Sequence, residues 1–187
     1  MPSVFLHLLN STSQNKAVSL QAFKKPATVI HKLVLDEIWD DEFALIAIHA
    51  SVEDFKLAFF INQYLDFRLY KMPSDLDLIQ NKRNTSYPIF KYEDTKQFVT
   101  YHLVGNTCEV THNKMVASGG FFEDTQTEIV HLIPEMKKAD YFLKVVTDEA
   151  EALQDKIIND LKNIPMVVTA YAVDHQKLKS KKNLNFD

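Results

Sequence analysis

Residues 140–174 read DYFLKVVTDEAEALQDKIINDLKNIPMVVTAYAVD, and their changing period decides the fold class. At first the chain alternates. Tyr141, Leu143 and Val145 share one side of an extended segment, and Phe142, Lys144 and Val146 share the other. Then Ala150, Leu153, Ile157, Leu161 and Ile164 recur at helical spacing, with Glu149, Asp155, Lys156, Asp160 and Lys162 away from them. Asp148 and Glu151 predict a capping box at the start of this helix. Pro165 bars another turn, and Met166 to Asp174 resumes as a strand. The stretch is therefore β-α-β.

The same grammar occurs earlier. FALIAIHA, residues 43–50, is apolar on both faces, which predicts a central strand. A helix follows over 51–67, with Ser51 and Asp54 as a capping-box-like start. Phe55, Ala58, Phe59, Asn62 and Leu65 form its expected inner face, widened by Leu57, Ile61 and Tyr64. RLYKM then returns as a strand that stops at Pro73. Two β-α-β units, near 43–72 and 139–174, predict an α+β ferredoxin-like sheet with both helices on one face.

Between the units, residues 74–86 read as a loop with a helical turn. YPIFKY, QFVTYHLV and TCEVTHN read as strands of an inserted antiparallel meander spanning 86–135. ASGGFFEDTQTE, residues 117–128, reads as a mobile loop, and EIVHLI as a further strand. Residues 1–29 read as a weakly ordered N-terminal extension. Residues 30–187 read as a single α+β domain, opening with a strand from Ile30 to Asp36 and with Trp39 folded onto the core.

Composition excludes several functions. A net charge of −4 argues against a general phosphate binder, so nucleic acid is not an expected partner. Only 3 glycines are present, and no Gly-rich nucleotide loop is among them. The single cysteine, Cys108, excludes an intrachain disulfide and a Cys-based zinc cluster. No apolar run approaches the roughly 20 residues of a membrane span. MPSVFLHLLN lacks the basic start of a signal peptide. The expectation is a cytoplasmic protein with no cofactor, no metal and no membrane partner.

Candidate chemistry concentrates at HLIPEMKKADYFLKV, residues 131–145. His131, Glu135 and Asp140, with Tyr141 beside them, are the residue types for a metal-assisted or acid–base site. The same letters also make a hairpin corner, which is the favoured reading. Ile133 prefers an extended backbone before Pro134, Pro134 suits a strand end, and Glu135 accepts a backbone N–H within the turn. His49 and Ser51 lie between a strand end and a helix N-terminus, where ligands gather in α/β folds; the competing reading is a packed histidine bonded to backbone. His102 and His112 face each other across a Gly105-Asn106 turn in the expected meander, but two histidines are too few for zinc. The tail carries Lys177, Lys179, Lys181 and Lys182, expected as a solvated strand extension. Phe55, Phe59, Phe60, Tyr64 and Phe67 are expected in the core, because they fall at helical spacing.

The string IPEMKKADY resembles the signature of the bacterial IPExxxVDY family of uncharacterised proteins. Ile133, Pro134, Glu135, Asp140 and Tyr141 match it, and Ala139 stands where the signature has valine. HKLVLD, LIAIHASVEDFKLAFFIN, DYFLKV, TAYAVD and LKSKKNL also resemble that family, so the likeness spans about residues 30–186. It implies a fold and a motif but assigns no activity.

The leading expectation is a non-catalytic protein-binding or assembly module that contacts itself or another protein through edge strands and the meander. An alternative is a small-molecule sensor acting as a dimer. The last β-α-β unit resembles ACT-type modules, though it lacks their Gly-containing turn before the helix. The further alternative is an enzyme at His131, Glu135 and Asp140. The family resemblance also implies a start near HKLVLD, and no methionine lies between Met1 and Met72. Translation is thus expected to begin at a non-standard codon such as that of Val29; intact-mass measurement of the native protein checks this, and a full-length mass removes it.

Overall fold

A computed structural model describes residues 43–114 and 124–186, without the side chains of 112–114 and 124–126. The expected extension over 1–29, the strand from Ile30 to Asp36, Trp39 and the Gly119-Gly120 pair lie outside the described residues.

Eight residues without a formal charge form β1 (Phe43–Ala50), and all but His49 are buried. A strand apolar on both faces needs neighbours on both sides and layers above and below it. β1 has them: β9 (Tyr141–Val146) pairs along one edge and β10 (Val167–Val173) along the other, both antiparallel. Beyond β9 come β6 (Val99–Gly105), β5 (Ile89–Asp94) and the short β2 (Tyr70–Lys71), giving the order β10-β1-β9-β6-β5-β2. The fold is mixed α+β, with antiparallel pairing between neighbours throughout this sheet.

Helix α2 (Ala150–Lys162) lies over β10, β1 and β9, and buries Ala150, Ile157, Ile158 and Leu161. β9 and β10 run parallel with β1 between them, so the strand–helix–strand unit read from 139–174 is present. Helix α1 (Asp54–Leu65) packs beside α2 and reaches β6. Its orientation differs from expectation. Leu57, Ala58 and Ile61 face inward, whereas Phe55, Phe59 and Tyr64 are exposed. The helix is apolar on more than one side, and periodicity alone cannot choose between overlapping stripes. The stripe with Ala58 lets α1 approach its neighbours more closely than the phenylalanines would. The capping boxes are also absent. Glu53 and Glu149 occupy the N-cap positions, and neither makes a side-chain cap bond.

The first β-α-β unit is corrected as well. Its return strand shrinks to Tyr70–Lys71 and pairs with β5, three strands away from β1. Both residues of β2 are exposed, whereas β6 buries six of its seven and takes the place beside β9. The more apolar strand occupies the interior.

The meander divides in two. β5 and β6 join the main sheet, while β7 (Thr107–Lys114) and β8 (Asp124–His131) form a separate ribbon. His102 and His112 therefore sit in different sheets, not across one turn. Residues 124–128, expected in a mobile loop, belong to β8. The expected loop at 74–86 contains a hairpin of β3 (Leu76–Gln80) and β4 (Arg83–Tyr87). Its two-residue turn, Asn81-Lys82, has φ of 51° and 65° at the two positions, the left-handed geometry that matches strand twist.

A second apolar layer lies opposite the helices. Phe43, Leu45, Ala47, Val104 and Phe142 pack there against Tyr87 of the hairpin, Leu132 and Ile133, and Leu184 near the C-terminus. No helix among the described residues is long and apolar enough to cross a membrane.

Candidate functional site

The stretch from β8 to β9 turns through Ile133, whose side chain is fully buried, and a 3-10 turn at Pro134–Met136. Pro134 begins that turn, where its missing N–H costs nothing. Short irregular backbone beside a core leaves polar groups that need partners. Asn106, itself 0% exposed, supplies them. Its amide nitrogen Nδ2 donates to the carbonyls of Met136 (2.9 Å) and Ala139 (2.8 Å). Its Oδ1 accepts from the Ile133 N–H at 2.9 Å. Its backbone N–H donates to Asp140 O, and its backbone carbonyl accepts from Leu132 N–H, both at 2.8 Å. Read from sequence as a turn residue, Asn106 is the hub of the corner. Nothing local in the sequence marks it, because its partners lie 26 to 34 positions further along the chain.

Glu135, Asp140 and Tyr141 radiate from this hub. Asp140 donates its backbone N–H to Ile48 O at 3.1 Å, and its Oδ2 accepts the Ala50 N–H at 2.9 Å. It thereby finishes the end of β1. The Tyr141 hydroxyl donates to Val52 O, tying β9 to the lead-in of α1. Burial, then the carboxylates of Asp54, Asp140 and Glu53, push this hydroxyl up to about 12, so it stays a donor at neutral pH. Glu135 reaches the other way. Its Oε1 accepts the Ser180 N–H at 2.8 Å and its Oε2 the Ser180 hydroxyl at 2.6 Å. Desolvation alone pushes its pKa up, but the Ser180 hydroxyl and nearby backbone N–H groups outweigh that and hold the carboxyl below the usual range.

Through Glu135 the corner grips the C-terminal segment, which is not a solvated strand extension. It forms 3-10 turns at His175–Lys177 and Lys181–Leu184 and buries Leu184. Asn183 Nδ2 donates to Leu132 O at 2.8 Å, and Lys144 Nζ donates to Leu184 O at 3.0 Å. The Lys144 ammonium lies over the rings of Phe43 at 4.7 Å and Phe186 at 5.2 Å. The short polar and apolar grips together make a strap across the second face of the sheet.

The remaining candidates lie apart. His131 lines a groove with Arg83, Glu128 and Lys137, while Asp140 lines a different cleft with Ser51, Glu53 and Asp54. The carboxylate of Glu135 is engaged with Ser180. His131, Glu135 and Asp140 are thus not drawn into one cleft. Among the described residues, no group of three or more His, Cys, Asp or Glu side chains is placed to hold a metal ion. His49 stacks on Tyr171 at 5.6 Å, with its Nε2 3.3 Å from the tyrosine hydroxyl, and Ser51 is exposed at the mouth of the Asp140 cleft. Cys108 is half-buried, and its Sγ accepts the Ser86 N–H at 3.4 Å. Comparison with protein-family models, with curated proteins and with solved structures finds no match to this chain.

Replacing Asn106 by alanine strands one N–H and two carbonyls in a dry corner, and is expected to cost about 3 kcal/mol. Asn106→Asp keeps the shape but sets a carboxylate against two carbonyl oxygens, and is expected to be as damaging at neutral pH. Urea midpoints measure both; an alanine variant within about 0.5 kcal/mol of the native chain overturns the assignment. For Glu135 the folded carboxyl is the more acidic state, so its contribution is present above the usual value of 4.5 and is lost as pH falls through the lower folded value. Hydrogen exchange at the Ser180 amide, corrected for intrinsic rate, is expected to lose protection below pH 4.5 in the native chain. Glu135→Gln is expected to remove that pH dependence.

Proposed function

We propose that this chain is a non-catalytic protein-binding or assembly module that contacts a second copy of itself, or another protein, through the outer face of α1. The observation that carries the reading is the pair Phe55 and Phe59, one helical turn apart and 59% and 62% exposed. Large apolar side chains clustered at a surface mark interaction sites more often than singly scattered ones do. Aromatic anchors of this size also dominate binding energy where interfaces form. β10 adds a second surface: Val167–Val173 carries no charge, Val168 is 77% exposed, and the strand lies at the edge of the described sheet. Uncharged edge strands favour pairing with another chain.

We read the chain as a member of the IPExxxVDY group. The support is the string at 133–141, each of whose matching residues has a mechanical task in the corner. We also read β10-β1-β9-β6 as a ferredoxin-like core, on the strength of its strand order and the parallel β9 and β10 around β1. A half-buried lone cysteine suits a cytoplasmic setting.

Light scattering on size-exclusion fractions tests the reading across a concentration series. The native chain is expected to exceed monomer mass. The double variant Phe55→Gln, Phe59→Gln is expected to run as a monomer, with its melting temperature unchanged to within about 2 °C, since both rings already face solvent. A native chain that stays monomeric, and captures no protein that the variant fails to capture, overturns it.

A further inference from the structure

A cavity of about 690 Å³ opens between the C-terminal end of α1, the flank of α2 and the β5–β6 turn. That volume lies within the range of small-molecule sites, about 300–1,000 Å³. Its floor is aromatic. Phe67 lies against Tyr101 with ring centroids 4.2 Å apart, and Tyr92 stacks on Tyr101 at 5.6 Å with an interplanar angle of 9°. Tyr101 is only 4% exposed, yet its hydroxyl makes no hydrogen bond among the described residues. Its oxygen is not one of the fully buried atoms left without a partner, so the hydroxyl opens onto the cavity, where it can donate to a bound molecule. Burial, then Asp94 and Tyr92, push that hydroxyl up to about 12, which keeps it a donor at neutral pH.

The wall above the floor carries both signs of charge. Arg68, Lys96 and Lys156 line it as cations and Asp66, Glu93, Asp94 and Asp160 as acids. Glu93 is paired with Lys91, whereas Arg68, Lys156, Asp66 and Asp160 form no ion pair among the described residues. A phosphate or simple carboxylate would meet the four acids, and a simple amine would meet the three cations. A ligand bearing both charges meets each with its opposite. The aromatic floor favours a ring.

We propose that this cavity binds a zwitterionic small molecule with a planar ring, of the aromatic amino-acid class, with Tyr101 donating a hydrogen bond to it. The site is independent of the assembly surface, because neither Phe55 nor Phe59 lines it.

Calorimetric titration of the full chain with L-phenylalanine and L-tryptophan tests the proposal. Four controls accompany them: 3-phenylpropionate lacks the amine, phenethylamine lacks the carboxylate, cyclohexylalanine lacks the planar ring, and glycine lacks any ring. Saturable binding is expected for at least one of the two amino acids, with each control at least about tenfold weaker. Tyr101→Phe removes only the hydroxyl. It is expected to weaken binding roughly five- to tenfold while leaving the melting temperature unchanged, because no intramolecular bond is lost. Lys156→Ala, at an exposed helix position, provides a second variant with the same expected direction. The proposal is overturned if neither amino acid binds at concentrations on the order of 10 mM. It is equally overturned if the controls bind as well as the amino acids, or if folded Tyr101→Phe and Lys156→Ala bind like the native chain.

Discussion

One side-chain amide, enclosed where water does not reach, holds this structure at its most irregular point. Asn106 gives two hydrogen bonds to Met136 and Ala139 and takes one from Ile133, while its own backbone reaches Leu132 and Asp140. A buried amide without partners costs several kcal/mol, and the same amide fully matched costs little. The match needs the corner to keep one shape, because Met136 O, Ala139 O and Ile133 N–H must converge on a planar group. The asparagine thus converts a polar liability into a specification of geometry. Everything hung on the corner inherits that geometry: Asp140 at the end of β1, Tyr141 at the approach to α1, and Glu135 at the strap.

This arrangement separates scaffold from surface. The acids that suggested chemistry in HLIPEMKKADYFLKV are engaged with backbone and hydroxyl donors at 2.6 to 2.9 Å. They carry tension between elements far apart in sequence. The features that look outward are elsewhere, on the solvent side of α1, along β10 and around the aromatic floor between the helices and the β5–β6 turn. A domain built this way can vary its exterior without disturbing its joinery.

Legibility followed the reach of each interaction. β1, β9, α2 and β10 were readable because their signals are local: β1 is apolar throughout, and α2 repeats every three or four residues with polar letters between. The hairpin at 76–87 was overlooked because its turn uses Asn81 and Lys82 instead of glycine, although Leu76 and Leu78 do alternate with Asp77 and Ile79. On α1, helical spacing admits Leu57, Ala58 and Ile61 together with Phe55, Phe59 and Tyr64, and only the packed structure shows that the first three are buried and the last three exposed. The strap and the hub were beyond local pattern altogether. Lys144 and Leu184, or Asn106 and Ile133, meet only after the sheet is assembled. Composition says nothing about such meetings. The Tyr101 cavity left no mark either, since its lining comes from α1, α2 and the β5–β6 turn, and an ordinary strand tyrosine gives no sign that its hydroxyl opens onto a cavity.

The position of β1 has a kinetic corollary. It precedes every other described strand in the chain, yet both its neighbours lie about a hundred residues further on. Closing such long loops is slow, and until β9 and β10 arrive the segment FALIAIHA has no strand to pair with at either edge. During synthesis it is therefore the stretch on which chaperones and aggregation compete, and the rate at which the downstream half emerges sets how long that contest lasts.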